Sequence, residues 1–223
     1  MNELTAVVIG ATGLTGNLLV EELLKDNAFK TVRVLVRRHL HNHNPKLQQE
    51  IVNFNDTADY AAKFGEGDVI FCCIGTTQKK VKNDKMAYEK IDLDIPVNAA
   101  RIGIDKGFKK FLIVSAIGAN ENASNFYLKL KGKIENKLKE FAYQSISIFR
   151  PSLLLGPREE YRLGEKIARV LTEIFSFLFF GFLEKYHPVD AEKVAIAMVK
   201  QSKLSVPGTH YFTYAEIIDL TED

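Results

Sequence analysis

The sequence predicts an α/β fold built on a doubly wound parallel sheet, and three observations carry that expectation. Residues 6 to 16, A-V-V-I-G-A-T-G-L-T-G, read as a buried strand running through a glycine turn into a helix. Short apolar runs then alternate with longer amphipathic ones, the pattern of repeated βα units. With 223 residues, 46% apolar and 26% charged, the chain has enough apolar surface for one substantial core.

In order along the chain, Thr31 to Val36 supplies a second strand and Ile51 to Phe54 a third. A short helix is expected around Asp59 to Phe64, a fourth strand over Asp68 to Ile74 and a long helix over Asp84 to Lys106. Phe111 to Ser115 forms the fifth strand, Asn125 to Ala142 a helix and Ser147 to Phe149 the sixth strand. No repeat, linker or low-complexity segment marks a boundary, so residues 1–223 form a single domain, with Pro151 to Pro188 as a small lobe beside the crevice at the carboxyl ends of the strands.

The net charge of +2 is too mild to make nucleic acid the main partner. The two cysteines, Cys72 and Cys73, are adjacent on a strand and point to opposite faces, which disfavours a disulfide between them and fits a reducing cytoplasm. Met1 to Thr5 lead straight into a core strand, with no basic and apolar leader. The most apolar window, Ile174 to Leu183, is shorter than the roughly 20 residues of a membrane span. Its phenylalanines at 175, 177, 179, 180 and 182 surround most of a helical circumference; core packing explains them, and a homodimer contact or a substrate wall would use any left over.

The glycine turn is the first candidate site. Gly10, Gly13 and Gly16 recur every third residue: Gly10 for a sharp turn, Gly13 for close approach of a pyrophosphate, Gly16 for close packing of helix on strand. The N–H groups of Thr12, Gly13 and Leu14 would face the anion, helped by the positive end of a helix starting near Leu14. Arg37 and Arg38 follow the second strand with no acid there, which argues for the 2′-phosphate of NADP(H) over the 2′-hydroxyl of NAD; Arg38 facing solvent is the alternative. Gly75 and Thr76 end the fourth strand, where a glycine lets ribose and phosphate lie against backbone. Asn55 and Asp56 meet the adenine or are simply turn residues.

Tyr127 and Lys131 lie four apart, on one face of the predicted helix. A phenol with a pKa near 10 is a poor acid or base at neutral pH, and a nearby fixed cation lowers it. Ser115, at a strand end, would orient a carbonyl oxygen in the crevice. Pro151 fixes the turn after the sixth strand, and Leu153 to Leu155 would cover a nicotinamide and exclude water. His39, His41 and His43 are explained by a polar loop ending in Asn44-Pro45, no acid or cysteine completing a metal site nearby. His187 reads as a turn residue before Pro188, or one reaching the substrate lobe.

On V-V-I-G-A-T-G-L-T-G, V-R-R-H-L, F-C-C-I-G-T-T, S-N-F-Y-L-K-L-K-G-K-I-E and F-R-P-S-L-L-L-G, the sequence from residue 5 to about 200 resembles the atypical short-chain dehydrogenase/reductases, within them the Tat-interacting-protein-like oxidoreductases. The resemblance implies an NADPH-binding Rossmann fold, Tyr127 as general acid and Lys131 on the nicotinamide ribose. It also implies cofactor contacts from Thr12, Gly13, Leu14, Thr15, Arg37, Arg38, Ile74, Gly75, Leu154 and Arg162. Ala116 follows Ser115 where the family pattern doubles the serine.

The expected function is NADPH-dependent hydride transfer between nicotinamide and a small carbonyl or alcohol substrate, with Tyr127 moving the proton. Two alternatives stand beside it: a regulatory module that senses NADP(H) and binds a protein partner, and a sugar-nucleotide epimerase or dehydratase, which the short C-terminal lobe disfavours.

Overall fold

A computed structural model of the chain describes residues 3–76, 81–156 and 181–222. Seven parallel strands form one sheet in the order β3-β2-β1-β4-β5-β6-β9: β1 (Leu4–Ile9), β2 (Phe29–Val36), β3 (Leu47–Ile51), β4 (Val69–Cys72), β5 (Lys110–Val114), β6 (Ser145–Phe149) and β9 (Gly208–Phe212). β4 is wholly apolar and buried and β1 nearly so, as strands covered on both faces must be, while β6 is buried throughout but carries Ser145 and Ser147. β3 carries Gln48, Gln49 and Glu50 and lies at the edge, beside β2 alone.

Helices cover both faces. On one, α1 (Leu14–Lys25), α6 (Ala191–Lys203) and α7 (Tyr214–Glu222) enclose Val8, Leu19, Phe71, Phe149, Val194 and Met198. On the other, α2 (Thr57–Phe64), α4 (Ile95–Asp105) and α5 (Phe126–Lys139) enclose Val7, Ile9, Tyr60, Ile70, Phe111, Ile134 and Ile148. Side chains of successive strand residues alternate between these two cores, which is why the buried strands read as unbroken apolar runs. Asp26, ending α1, accepts from Ala28 N–H at 2.8 Å and pairs with Lys203 of α6 at 2.7 Å, so the two helices are joined at their ends.

The long helix expected over 84–106 is present but not regular. α3 (Lys85–Glu89) continues through a π turn at Lys90–Asp94 into α4. Pro96 has no N–H to give the carbonyl of Asp92 four residues earlier, and a wider turn accommodates the missing bond. The third strand lies at 47–51 rather than 51–54. After Pro151 a second, two-stranded parallel sheet pairs β7 (Leu154–Leu155) with β8 (Val189–Asp190). Most of the lobe expected over Pro151 to Pro188 falls on residues 157–180, which include the phenylalanines at 175, 177, 179 and 180 and lie outside the described residues.

Candidate functional site

The crevice opens where β1 ends, between its neighbours β2 and β4. From β1 the chain crosses to β2 on one side, while β4 and β5 continue on the other, so this is the point at which the sheet reverses its winding. The three glycines are fixed there by close contact. Gly10 has a positive φ of +86°, and a Cβ on it would lie 2.6 Å from the carbonyl carbon of Cys73; one on Gly16 would lie 2.1 Å from the Gly10 oxygen. At Gly13 the corresponding contact is 3.3 Å, tight rather than forbidden.

Gly13 is the N-cap of α1, with no side-chain cap and no acid in the first turn. Its own N–H donates to the Gly10 carbonyl at 3.0 Å, so that N–H, expected to face an anion, is spent on the turn. The first α1 N–H with a helical acceptor is that of Asn17, on the Gly13 carbonyl at 2.9 Å. The N–H groups of Leu14, Thr15 and Gly16 therefore form the open end of the helix, two residues further along than expected from the sequence. Thr12 is exposed beside them and Thr15 is buried. Three N–H groups, a helix dipole and a turn whose backbone packs too closely for a Cβ at Gly10 or Gly16 fit a pyrophosphate.

Arg37 and Arg38 follow β2 at the same edge of the sheet, both exposed and without an ion pair among the described residues. Asp56 sits past β3, but its carboxylate caps α2, accepting from Ala58 N–H at 3.0 Å and Asp59 N–H at 3.2 Å. The helix it opens accounts for that side chain. Gly75 is exposed, with no atom within 4 Å of a Cβ placed on it, so the space beside it is open toward the crevice. Thr76, expected beside the cofactor, is buried, and its backbone groups already have partners. Its N–H donates to Asp92 Oδ1 at 2.8 Å and its carbonyl accepts from Tyr88 at 3.0 Å, so both groups serve to tie the strand end to the helix above it.

α5 carries Tyr127 and Lys131. Asn125 caps it, accepting from Leu128 N–H at 3.1 Å, and Gly132 brings it close to the preceding loop, where a Cβ would lie 2.2 Å from Asn120 and Glu121 backbone. Lys131 is 3% exposed, its Nζ 3.3 Å from the Ile74 carbonyl, 3.5 Å from that of Val114 and 3.9 Å from Asp92 Oδ2. The same Nζ is 6.0 Å from the ring centroid of Tyr127, which is 37% exposed at the crevice. Tyr127 and Lys131 thus share a face as the spacing predicts.

Ser115 has a different neighbour from the expected substrate oxygen. It is 4% exposed, and its hydroxyl donates to Glu135 Oε1 at 2.5 Å. Arg150 Nε donates to the same oxygen at 3.0 Å and its Nη2 to Oε2. Sequence reasoning missed Glu135 and Asp92, both buried acids. The signal for Glu135 was available: it follows Lys131 by four residues, as Lys131 follows Tyr127.

Pro151 is buried, its carbonyl accepting from Ile117 N–H at 3.0 Å. Leu154 pairs with Val189, and Gly156 lies against Leu14, with a Cβ on it 3.0 Å from that side chain. The loop after β6 therefore closes over the start of α1. Arg162 lies outside the described residues. Of the two thiols, Cys72 is buried and Cys73 partly so; desolvation pushes Cys72 up to about 11 and raises Cys73 further.

The family described as NAD(P)H-binding matches residues 10–164, from the glycine turn past α5. The chain belongs to that family. Among curated relatives, Protein HTATIP2 of Rattus norvegicus is 36% identical over 172 residues, 76% of this chain and 70% of its own length. Protein FMP52, mitochondrial, of Eremothecium gossypii is 34% identical over 161 residues, 72% of this chain and 71% of its own. A solved UDP-N-acetylglucosamine 4-epimerase from Methanobrevibacter ruminantium superposes with a TM-score of 0.72 at 17% identity, covering 96% of this chain and 77% of that one. WbmH of Bordetella bronchiseptica, in complex with NAD+, gives 0.72 at 17% identity, covering 95% and 76%. These two show the NAD(P)H-binding chain to share their Rossmann-like fold. Among the described residues, no helix is long and apolar enough to cross a membrane.

Proposed function

We propose that this NAD(P)H-binding chain is an NADPH-dependent oxidoreductase acting on a small carbonyl compound or the corresponding alcohol. The observation that carries the reading is the placement of Lys131, whose ammonium reaches the carbonyls ending β4 and β5 and so holds Tyr127 beside the crevice into which the open N–H groups of α1 point.

The pyrophosphate would rest on the N–H groups of Leu14, Thr15 and Gly16 beside Gly10, Gly13 and Thr12. The ribose and nicotinamide would pass along Ile74 and Gly75, with Leu154 above. Arg37 and Arg38 would face the 2′-phosphate; their exposure, position after β2 and lack of an acid partner support this choice over NAD. When bound, the nicotinamide supplies or accepts the hydride. The proton belongs to this chain: Tyr127 Oη donates it to the substrate oxygen during reduction and takes it back during oxidation. Lys131, fixed on two carbonyls, offers the ribose its ammonium and keeps a positive charge beside the phenol as negative charge develops there. The segment from Pro151 to Leu155 excludes water from the site.

We propose cytoplasmic residence on the two unpaired thiols; the fungal relatives are named mitochondrial, and fractionation with an organelle marker distinguishes the two. Parallel titration with NADPH and NADH, read by nicotinamide fluorescence, tests the cofactor assignment. Selective NADPH binding is expected; binding of neither nucleotide removes the basis of the reading.

A further inference from the structure

We propose that Glu135 is a positioning residue for Tyr127 and Lys131, with Ser115 and Arg150 as the two jaws of a clamp upon its carboxylate. The inference rests on the roles of Tyr127 and Lys131 given above.

Tyr127, Lys131 and Glu135 form one stripe along α5 at intervals of four. Glu135 is 2% exposed, and three donors converge on it: Ser115 Oγ, Arg150 Nε and Arg150 Nη2. Ser115 follows β5 and Arg150 follows β6, so a single carboxylate fastens α5 to the ends of two adjacent strands. Arg150 is itself held from the other side. Its guanidinium lies 4.3 Å from the ring centroid of Tyr211 on β9, and its N–H donates to the Phe212 carbonyl at 2.7 Å.

A buried ion pair is a poor device for stability, because well-packed apolar side chains of similar volume serve as well or better. What it provides is direction. α5 meets the sheet through Leu130, Ile134 and Leu138, apolar contacts that resist separation but resist sliding and rolling far less. Planar, two-pronged contact between guanidinium and carboxylate fixes both. One turn away, Lys131 makes only long bonds, 3.3 and 3.5 Å, to the strand carbonyls, and a small roll of the helix would break them.

The test compares NADPH affinity and melting temperature for the full chain, Glu135→Gln, and the double variant Glu135→Leu with Arg150→Met. Glu135→Gln is expected to weaken NADPH about tenfold, the equivalent of one misplaced hydrogen bond. The double variant, with no buried charge left unmatched, should recover the melting temperature and remain about tenfold weak. Folded Glu135→Gln with wild-type affinity overturns the clamp, and so does a double variant that recovers affinity together with stability. Should Glu135→Gln not fold, Ser115→Ala removes one jaw without stranding a charge; a several-fold loss supports the proposal and wild-type affinity refutes it. A wild-type chain that binds no NADPH defeats the cofactor reading instead, which separates the two failures.

Discussion

The Nζ of Lys131 lies 3.3 Å from the carbonyl oxygen of Ile74, so one buried ammonium joins the middle of α5 to the segment ending β4. Ile74 follows Cys73, whose carbonyl carbon stands against Gly10. Adjacent residues therefore carry the anchor of α5 and the floor of the glycine turn, so a shift of one is felt by the other.

On the proposed reading, Tyr127→Phe removes the proton-carrying hydroxyl and little else, since the ring is retained. Turnover of a carbonyl substrate should fall by at least about 100-fold while the NADPH dissociation constant stays within about twofold, by the usual worth of a general acid. Steady-state rates and fluorescence titration check this together. Unchanged turnover would remove catalysis by Tyr127 and leave an NADP(H)-sensing module as the better account.

At Arg37, substitution by Ala should weaken NADPH about tenfold or more, the cost of a charge-assisted hydrogen bond to phosphate, and hardly change NADH. Equal losses for both nucleotides would place the arginine away from the 2′-phosphate.

The Gly10 oxygen leaves no room for a methyl group on Gly16. Gly16→Ala should cost about 1–3 kcal/mol in urea unfolding, as overpacking does, and abolish measurable NADPH binding at the concentrations that saturate the wild type. A stable variant that still binds would mean that helix and strand can separate here without opening the cradle.

Burial holds both thiols neutral well above physiological pH, Cys72 at about 11 and Cys73 higher. Iodoacetamide at pH 8 should leave them unmodified in the folded protein and alkylate both after unfolding, as intact mass would record. Rapid labelling of the native chain would contradict their burial.

Lys63 donates to Asp59 at 2.6 Å and the Asn53 N–H does so at 2.8 Å, and together, the lysine first, they hold the Asp59 carboxyl below its ordinary 3.8. A depressed folded value means that the contribution is present above the unfolded pKa and is lost as pH falls through the folded one. Asp59→Asn should therefore destabilise at pH 6 and make little difference near pH 2, measured by denaturant unfolding at each. A difference that persists undiminished in acid would refute the assignment.

Most of the central sheet was legible because β1, β4 and β5 are largely apolar runs, each leading through a turn toward a helix. β3 was misplaced for the converse reason: its Gln48, Gln49 and Glu50 sit at an edge, where one neighbour and partial burial impose no apolar pattern, and Ile51 to Phe54 carried the hydrophobic signal instead. β9, G-T-H-Y-F, is the opposite edge and was not recognised either. Within the site, the glycine turn and the pairing of Tyr127 with Lys131 depend on neighbours in sequence and could be read directly. Ser115 could not, because its hydrogen-bond partner is twenty residues away and is chosen by how α5 lies on the sheet.

The short ribbon of β7 and β8 has an evolutionary consequence. Leu154 and Val189 are paired neighbours, so the chain departs from and returns to one anchored place while the seven-stranded sheet continues undisturbed through α6 and β9. Loop-closure entropy grows only slowly with length. A change in the number of residues between Leu154 and Val189 is therefore expected to cost the sheet little, so descendants of this chain can vary there while inheriting the glycine turn and α5 intact.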